Sequence, residues 1–215
     1  HVSFPLFHYF YTTNKDIHNP MTKSLQDMTD EERWALFPIL LSEHQDKWQE
    51  EYRKEQKLIR DTIGQENITR VNHIGSTAVP GLIAKPTIDI LLEIRPGTDT
   101  QKLIATLVAT GYICDKQPSK PAPHLMFMKG YTPQGFRGQV IHLHVRYPGD
   151  WDELYFRDYL LTHPAATKTY GELKQQHAVR YKHDRDAYTN AKTDFIRRGT
   201  SLARDEMGEK YGNRL

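Results

Sequence analysis

One segment of the chain combines the pattern of a buried β-strand with a single carboxylate in its interior. Residues 87–94, TIDILLEI, are almost continuously apolar, and Pro96 and Gly97 follow them. Such a run is typical of a strand that is covered on both faces. An ionised Asp89 inside it is costly unless a cation, a metal ion or hydrogen-bond donors compensate its charge. The fold must therefore bring a compensating group to Asp89.

The other periodic patterns predict an α+β chain. Apolar or alternating runs bounded by glycine and proline predict strands, and apolar residues at intervals of three and four predict helices. The predicted helices run from about Asp46 to Gly64, from Thr98 to Gly111 and over about 150–163, 165–181 and 185–209; the predicted strands cover 68–74, 87–94, 124–130 and 139–147. This order favours a mixed sheet flanked by helices, with a helical C-terminal part.

Length and composition predict one domain with a short extension. The chain has 215 residues, 38% of them hydrophobic, and a domain of this size buries roughly 70% of its unfolded surface. Thr29 and Glu32 have the spacing of a capping box and predict the first helix start. We expect residues 29–215 to form the domain. Residues 1–28 are expected to be an extension, either flexible, a processed end or added by cloning.

Charge and cysteine content exclude several classes of protein. The 29 basic residues nearly balance the 27 acidic ones, which leaves a net charge of +2, so no single-sign field favours nucleic acid or an anionic membrane. No apolar run has the roughly 18 residues of a membrane-spanning helix, and the first residues lack the features of a signal peptide. Cys114 is the one cysteine. These features favour a cytoplasmic protein without a membrane partner.

A glycine-containing loop precedes the apolar strand and has the residues of a phosphate site. Gly75 allows close backbone approach, and Ser76 and Thr77 offer amide and hydroxyl groups to an anion. Lys85, beside this loop, and Arg137, before the last strand, add candidate phosphate contacts. The alternative is an ordinary turn with a helix cap.

Two histidines two positions apart form a second candidate cluster. His142 and His144 point to the same face of a strand with roughly 7 Å between their backbones, so their imidazoles can converge on one metal ion or phosphate. With Asp89 on a neighbouring strand they would complete a metal site. The alternative is a pair of solvated or hydrogen-bonded histidines. Glu93 lies roughly 13 Å along the strand from Asp89 and is interpreted as a strand-end charge.

Several strings of the sequence together resemble the GrpB family. They are HIGSTAVPGLIAKPTIDILLEI at 73–94, IHLHV at 141–145, FRDYL at 156–160 and YTNAKTDFI at 188–196. The resemblance covers about residues 38–200 and implies a nucleotidyltransferase-like fold. Because some members of the family are fused to dephospho-coenzyme A kinase, it also implies a functional link to coenzyme A biosynthesis.

The resemblance assigns roles to particular residues. Gly75 and Ser76 correspond to the Gly-Ser pair that holds nucleotide phosphates in the superfamily, and Asp89 corresponds to its first metal-binding, catalytic carboxylate. The implied cofactor is Mg²⁺ or another divalent cation. Active superfamily members usually carry a second carboxylate two positions later, where this chain has Leu91. Two-metal phosphoryl chemistry is therefore in question.

Three functions follow as hypotheses. The first is nucleotidyl transfer from a nucleoside triphosphate, or reaction of a related phosphorylated metabolite, at Asp89. The second is a noncatalytic nucleotide-binding module, which Leu91 favours. The third is a metal-dependent phosphoesterase that uses His142 and His144. Of the other cations, Arg157 is interpreted as a structural ion-pair residue and Lys192 as part of a solvated helix face.

Overall fold

The fold is built around one six-stranded sheet. The computed structural model of the chain describes residues 10–11, 23–116 and 120–212. The strands are β1 (Phe10–Tyr11), β2 (Ile68–Ile74), β3 (Thr87–Ile94), β4 (Ile113–Lys116), β5 (Leu125–Thr132) and β6 (Gly135–Arg146). Their order is β1-β4-β5-β6-β3-β2. Strands β3 and β6 are parallel and the other neighbours are antiparallel, which confirms the predicted mixed sheet.

Seven helices lie within the described residues. They are α1 (Asp30–Leu36), α2 (Lys47–Ile63), α3 (Thr100–Ala109), α4 (Asp152–Thr162), α5 (Pro164–Arg180), α6 (Arg185–Asn190) and α7 (Thr193–Met207). The capping box of Thr29 and Glu32 is present at the start of α1. Asp99, and not Thr98, caps α3, because its side chain accepts hydrogen bonds from two amides of the first turn. None of the helices in this part of the chain is long and apolar enough to cross a membrane.

Helices α2 and α3 cover one face of the sheet. Their apolar sides pack against alternate residues of the central strands, as the period of two along a strand requires. Among the fully buried side chains of this core are Trp48 and Ile59 from α2, Leu107 from α3, Ile88, Ile90 and Leu92 from β3 and Leu143 from β6. Most of the apolar burial of the domain lies in this layer.

The opposite face of the sheet is covered at its two sides and stays partly open at its centre. Phe37 packs with Met128 of β5 on one side, and Leu154 of α4 packs with Leu91 of β3 on the other. Between these two clusters lie the strands that carry Asp89 and the two candidate histidines. The side chain of Asp89 retains 27% of its exposure, so solvent and ligands reach this position.

Glu93 lies one residue before the end of β3, as interpreted, and its side chain is part of the protein core. Strand β2 runs antiparallel beside β3 and places Arg70 opposite Glu93. The Arg70 guanidinium donates to both carboxylate oxygens, with Nη2 2.6 Å from Oε1. The amide of Gly149 also donates to Oε1 at 3.0 Å. Glu93 is fully buried, and these donors compensate the charge that burial would otherwise make costly.

Candidate functional site

The parallel pairing of β3 and β6 brings Asp89 and the two histidines together. Asp89 is in register with His142, and His144 lies two residues further along the same strand. Oδ1 of Asp89 is 3.3 Å from Nδ1 of His142 and 3.9 Å from Nε2 of His144. The convergence expected from the spacing of the three residues is therefore present, with one carboxylate oxygen facing both imidazoles.

The electrostatic surroundings keep Asp89 ionised. Burial by itself would raise the pKa of Asp89, but its interactions with His142 and His144 outweigh this effect and hold the pKa well below its usual value. Burial lowers the pKa of His142, and the neighbouring Asp89 opposes that shift. Nε2 of His142 forms a hydrogen bond with the hydroxyl of Tyr131 at 2.8 Å. Both ring nitrogens of His142 are thus engaged within the protein.

The Gly75 loop touches the carboxylate of Asp89. Gly75 has φ +71° and ψ −173°, a conformation that is essentially restricted to glycine. A Cβ atom at this position would lie 2.5 Å from Oδ2 of Asp89. Residues Ser76–Ala78 form a single 3₁₀ turn, so the loop offers backbone amides without a long helix behind them.

The two hydroxyl residues of this loop have different surroundings. Thr77 is buried, and its hydroxyl donates to the carbonyl of Thr87 at 2.9 Å and contacts Nε2 of His73 at 3.0 Å. It fixes the loop to the start of β3 and faces away from solvent. Ser76 is partly exposed and lies near the hydroxyl of Tyr170. Of the two, Ser76 is the one that a ligand can reach.

His73 and Arg157 make structural contacts next to the Gly75 loop: His73 contacts Thr77, and Arg157 contacts the backbone of His73. Burial lowers the pKa of His73 to about 4, so the ring is neutral at pH 7. Arg157 donates to the backbone carbonyl of His73 at 3.0 Å and to Asp158 at 2.8 Å. These contacts support the interpretation of Arg157 as a structural residue.

Two lysines from distant parts of the chain lie against one tyrosine ring. The Nζ atoms of Lys85 and Lys192 lie 5.6 Å and 4.1 Å from the ring centre of Tyr188. Burial lowers the pKa of Lys192 to about 8 and that of Lys85 well below its usual value, while the charge of Asp89 opposes both shifts. The expectation that Lys192 is part of a solvated helix face is wrong, because Lys192, just before α7, is only partly exposed and lies over the buried ring of Tyr188.

Two further cations reach the same region from helices α5 and α6. Arg185 is buried and donates to the carbonyl of Phe37 at 2.8 Å. Lys174 is also buried and donates to the carbonyl of Ile83. Sequence reasoning missed both residues, because more than 80 positions separate them from Asp89 and no local spacing connects them. We define the Asp89 site as Asp89, His142, His144, Lys85, Arg185 and Lys192.

Arg137 is not brought to this site. It is exposed near the start of β6, five residues before His142, which corresponds to roughly 16 Å along a strand. Its assignment as a phosphate contact has no geometric support here.

The side chains around Asp89 fit Mg²⁺ poorly. Mg²⁺ prefers an octahedral set of oxygen ligands, whereas the site offers one carboxylate, two imidazoles and several cations. Leu91, at the position of the usual second carboxylate, is fully buried among apolar side chains. Across the described ranges, no group of three or more histidine, cysteine or carboxylate side chains is arranged to hold a metal ion. The divalent cation remains a prediction from the resemblance.

Comparison with known proteins identifies the family. The family model described as GrpB protein matches residues 38–201. The chain belongs to the GrpB family. The crystal structure of conserved protein GrpB from Enterococcus faecalis has a TM-score of 0.68 and 29% identity to it, over 78% of this chain and 98% of that chain. The predicted membership is thus confirmed, and the α+β mixed sheet is consistent with the predicted nucleotidyltransferase-like fold.

Two further proteins that are similar to this chain are matched over only part of their own length. A UPF0157 protein of Pseudomonas aeruginosa is 40% identical over 159 residues, which are 73% of this chain and 64% of that protein. A dephospho-CoA kinase of Mycolicibacterium paratuberculosis is 25% identical over 185 residues, and the match spans 45% of the kinase. The chain thus corresponds to part of each of these proteins.

Proposed function

We propose that this GrpB protein binds a nucleotide or another phosphorylated small molecule at the Asp89 site. Lys85, Arg185 and Lys192 are the three basic side chains of the Asp89 site, and an anionic ligand would favour the protonated forms of the two lysines, whose pKa burial lowers. Within the part of the chain that the structure describes, none of these three cations forms an ion pair. This excess of partly buried positive charge is the observation that carries the proposal, because such groups favour an anionic ligand.

The Gly75 loop supports the same ligand class. Gly75 is exposed and Ser76 is partly exposed, so the backbone amides that start the 3₁₀ turn can approach a phosphate closely. The carboxylate of Asp89 holds the imidazoles of His142 and His144 in place. The loop backbone and the basic side chains Lys85, Arg185 and Lys192 therefore belong to one site, although they come from separate segments of the chain.

Binding without nucleotidyl transfer is the function that this geometry supports best. Transfer by the two-metal route needs a second carboxylate ligand, and Leu91 is instead part of an apolar cluster with Ile74 and Leu154. Phosphoester hydrolysis by the histidine pair needs an available imidazole, whereas both ring nitrogens of His142 already have partners.

Isothermal calorimetry tests the proposal. The ligands are ATP, GTP, CTP, UTP and dephospho-coenzyme A, each with Mg²⁺ present; the last is included because of the matched kinase. We expect saturable binding of at least one ligand at one site per chain. Lys192→Met should weaken that binding at least tenfold, because it removes a charge next to Asp89 and keeps the length of the side chain.

The matched control is Lys168→Met, which removes the same charge from an exposed position on α5. It should leave the affinity within twofold of the unmodified protein. Absence of binding by the folded protein to every ligand would contradict the proposal, as would equal loss of affinity in both variants.

A further inference from the structure

We infer that the Asp89 site binds the metal-free form of a ligand with adjacent phosphates, and that Lys85, Arg185 and Lys192 supply the charge that Mg²⁺ supplies in related folds. The inference rests on the proposed function and specifies the ligand as a pyrophosphate or triphosphate group. It differs from the expectation that a divalent cation accompanies the nucleotide.

The two lysine ammonium groups have fixed positions. Tyr188 is 1% exposed, so its ring cannot move freely, and both Nζ atoms lie against it at 5.6 Å and 4.1 Å. A cation over an aromatic face is attracted without losing its hydrogen-bond donors. Lys85 and Lys192 therefore keep donors for two phosphate groups that are bound close together.

Arg185 adds a donor group of a different shape. Its guanidinium is anchored by one hydrogen bond to the carbonyl of Phe37 and contacts Tyr131. A guanidinium carries five N–H donors in a planar fork that matches phosphate oxygens. Donors remain after these contacts, and Tyr131 connects this group to His142 of the site.

The same charges disfavour a resident divalent cation. A dication beside Asp89 would be repelled by the guanidinium of Arg185 and by each of the two lysines in its protonated form. Oδ1 of Asp89 also faces two imidazoles instead of further oxygen ligands. The cations that hinder Mg²⁺ are suited to neutralise phosphate directly, as lysine and arginine side chains do in anion sites.

Calorimetry with inorganic tripolyphosphate tests this inference separately from nucleotide recognition. The full chain is titrated once in EDTA and once with excess Mg²⁺, at constant ionic strength. We expect saturable binding in EDTA and affinity at least threefold weaker with Mg²⁺, because the metal competes for the phosphates. Lys85→Met and Lys192→Met should each lower the affinity in EDTA at least tenfold, and Lys192→Arg should lower it less than Lys192→Met because it keeps the charge. The exposed control Lys168→Met should stay within threefold.

The outcomes separate the two proposals. Binding that requires Mg²⁺ overturns the inference and leaves the proposed function standing. Absence of tripolyphosphate binding under both conditions overturns the inference, while nucleotide binding in the earlier panel decides the function by itself. Circular dichroism of each variant shows whether a loss of binding comes from unfolding, and Lys192→Arg provides a variant that keeps the charge.

Discussion

Gly75 holds the loop in contact with Asp89 and cannot be replaced without moving one of them. Its backbone conformation is essentially restricted to glycine, and an added Cβ would meet Oδ2 of Asp89 at 2.5 Å. We expect Gly75→Ala to lower the free energy of unfolding by about 2–4 kcal/mol, from backbone strain together with the steric clash.

Gly81 provides the matched control for this change. It also has a positive φ, +74°, but an added Cβ would meet no atom within 4 Å. Gly81→Ala should therefore cost only the strain, about 1 kcal/mol. Urea denaturation of both variants measures the difference. Equal losses would show that contact with Asp89 does not restrict residue 75.

Lys174 makes the stability of the protein depend on pH. Burial, with a smaller effect of Lys192, lowers its pKa from 10.5 to about 7. Between these two values the unfolded chain holds the proton and the folded protein does not. Stability from this group is therefore lowest below pH 7 and rises with pH up to about 10.5.

The comparison of the unmodified protein with Lys174→Met isolates this effect. The difference between their free energies of unfolding should change in favour of the unmodified protein by up to about 1.4 kcal/mol per pH unit between pH 7.5 and 9.5. Urea denaturation at three pH values measures it. Parallel pH profiles would mean that Lys174 stays protonated in the folded protein.

At the scale of the elements, the ion pair of Arg70 and Glu93 connects strands β2 and β3 and stabilises their pairing. Arg70→Met leaves the fully buried carboxylate of Glu93 with the Gly149 amide but without its guanidinium. We expect a loss of about 3–5 kcal/mol in the free energy of unfolding. The double variant Arg70→Met, Glu93→Gln removes the uncompensated charge and should recover at least half of this loss. A double variant as unstable as the single one would refute this explanation.

The bounds of the elements show where local sequence is sufficient. Strands β2 and β3 begin and end at the residues that the pattern predicts, because apolar runs and flanking Gly-Pro signals act locally. Helix α3 is predicted from Thr98 but begins at Thr100, because the side chain of Asp99 accepts hydrogen bonds from two amides of the first turn. The predicted helix over 185–209 is two helices, α6 and α7, separated at Ala191 and Lys192.

The molecule as a whole should unfold cooperatively, because both layers of side chains share β3. Trp48 lies in the core between the sheet and helices α2 and α3, and Trp151 packs on the opposite face. Variants in which Trp34 is replaced and only one of these two tryptophans is kept report on the two layers separately. We expect both fluorescence transitions in urea to coincide with the circular dichroism transition. An earlier transition at Trp151 would show that the C-terminal helices unfold independently.

The predicted division at residue 29 concerns a part of the chain that lies largely outside the described residues. Helix α1 begins at Asp30, as the capping box predicts. Residues 1–9 and 12–22 are outside the described structure, and the interpretation of 1–28 as an extension stays a prediction. Within this segment, Phe10 and Tyr11 pair with β4 at the edge of the sheet, and residues 23–28 are also described.

The sequence by itself determined the mixed α+β fold, the family and the placement of His142 and His144 on one face of a strand. These depend on periodicity, on short spacings and on motifs within single segments. Only the tertiary structure decided that β6 pairs with β3 and brings both histidines to Asp89, that Lys85 and Lys192 share the ring of Tyr188, and that Glu93 is buried against Arg70. Helix packing sets the distance between residues a hundred positions apart, and burial sets their charge. The excess of positive charge at Asp89 is therefore a property of the folded chain and not of any segment of it.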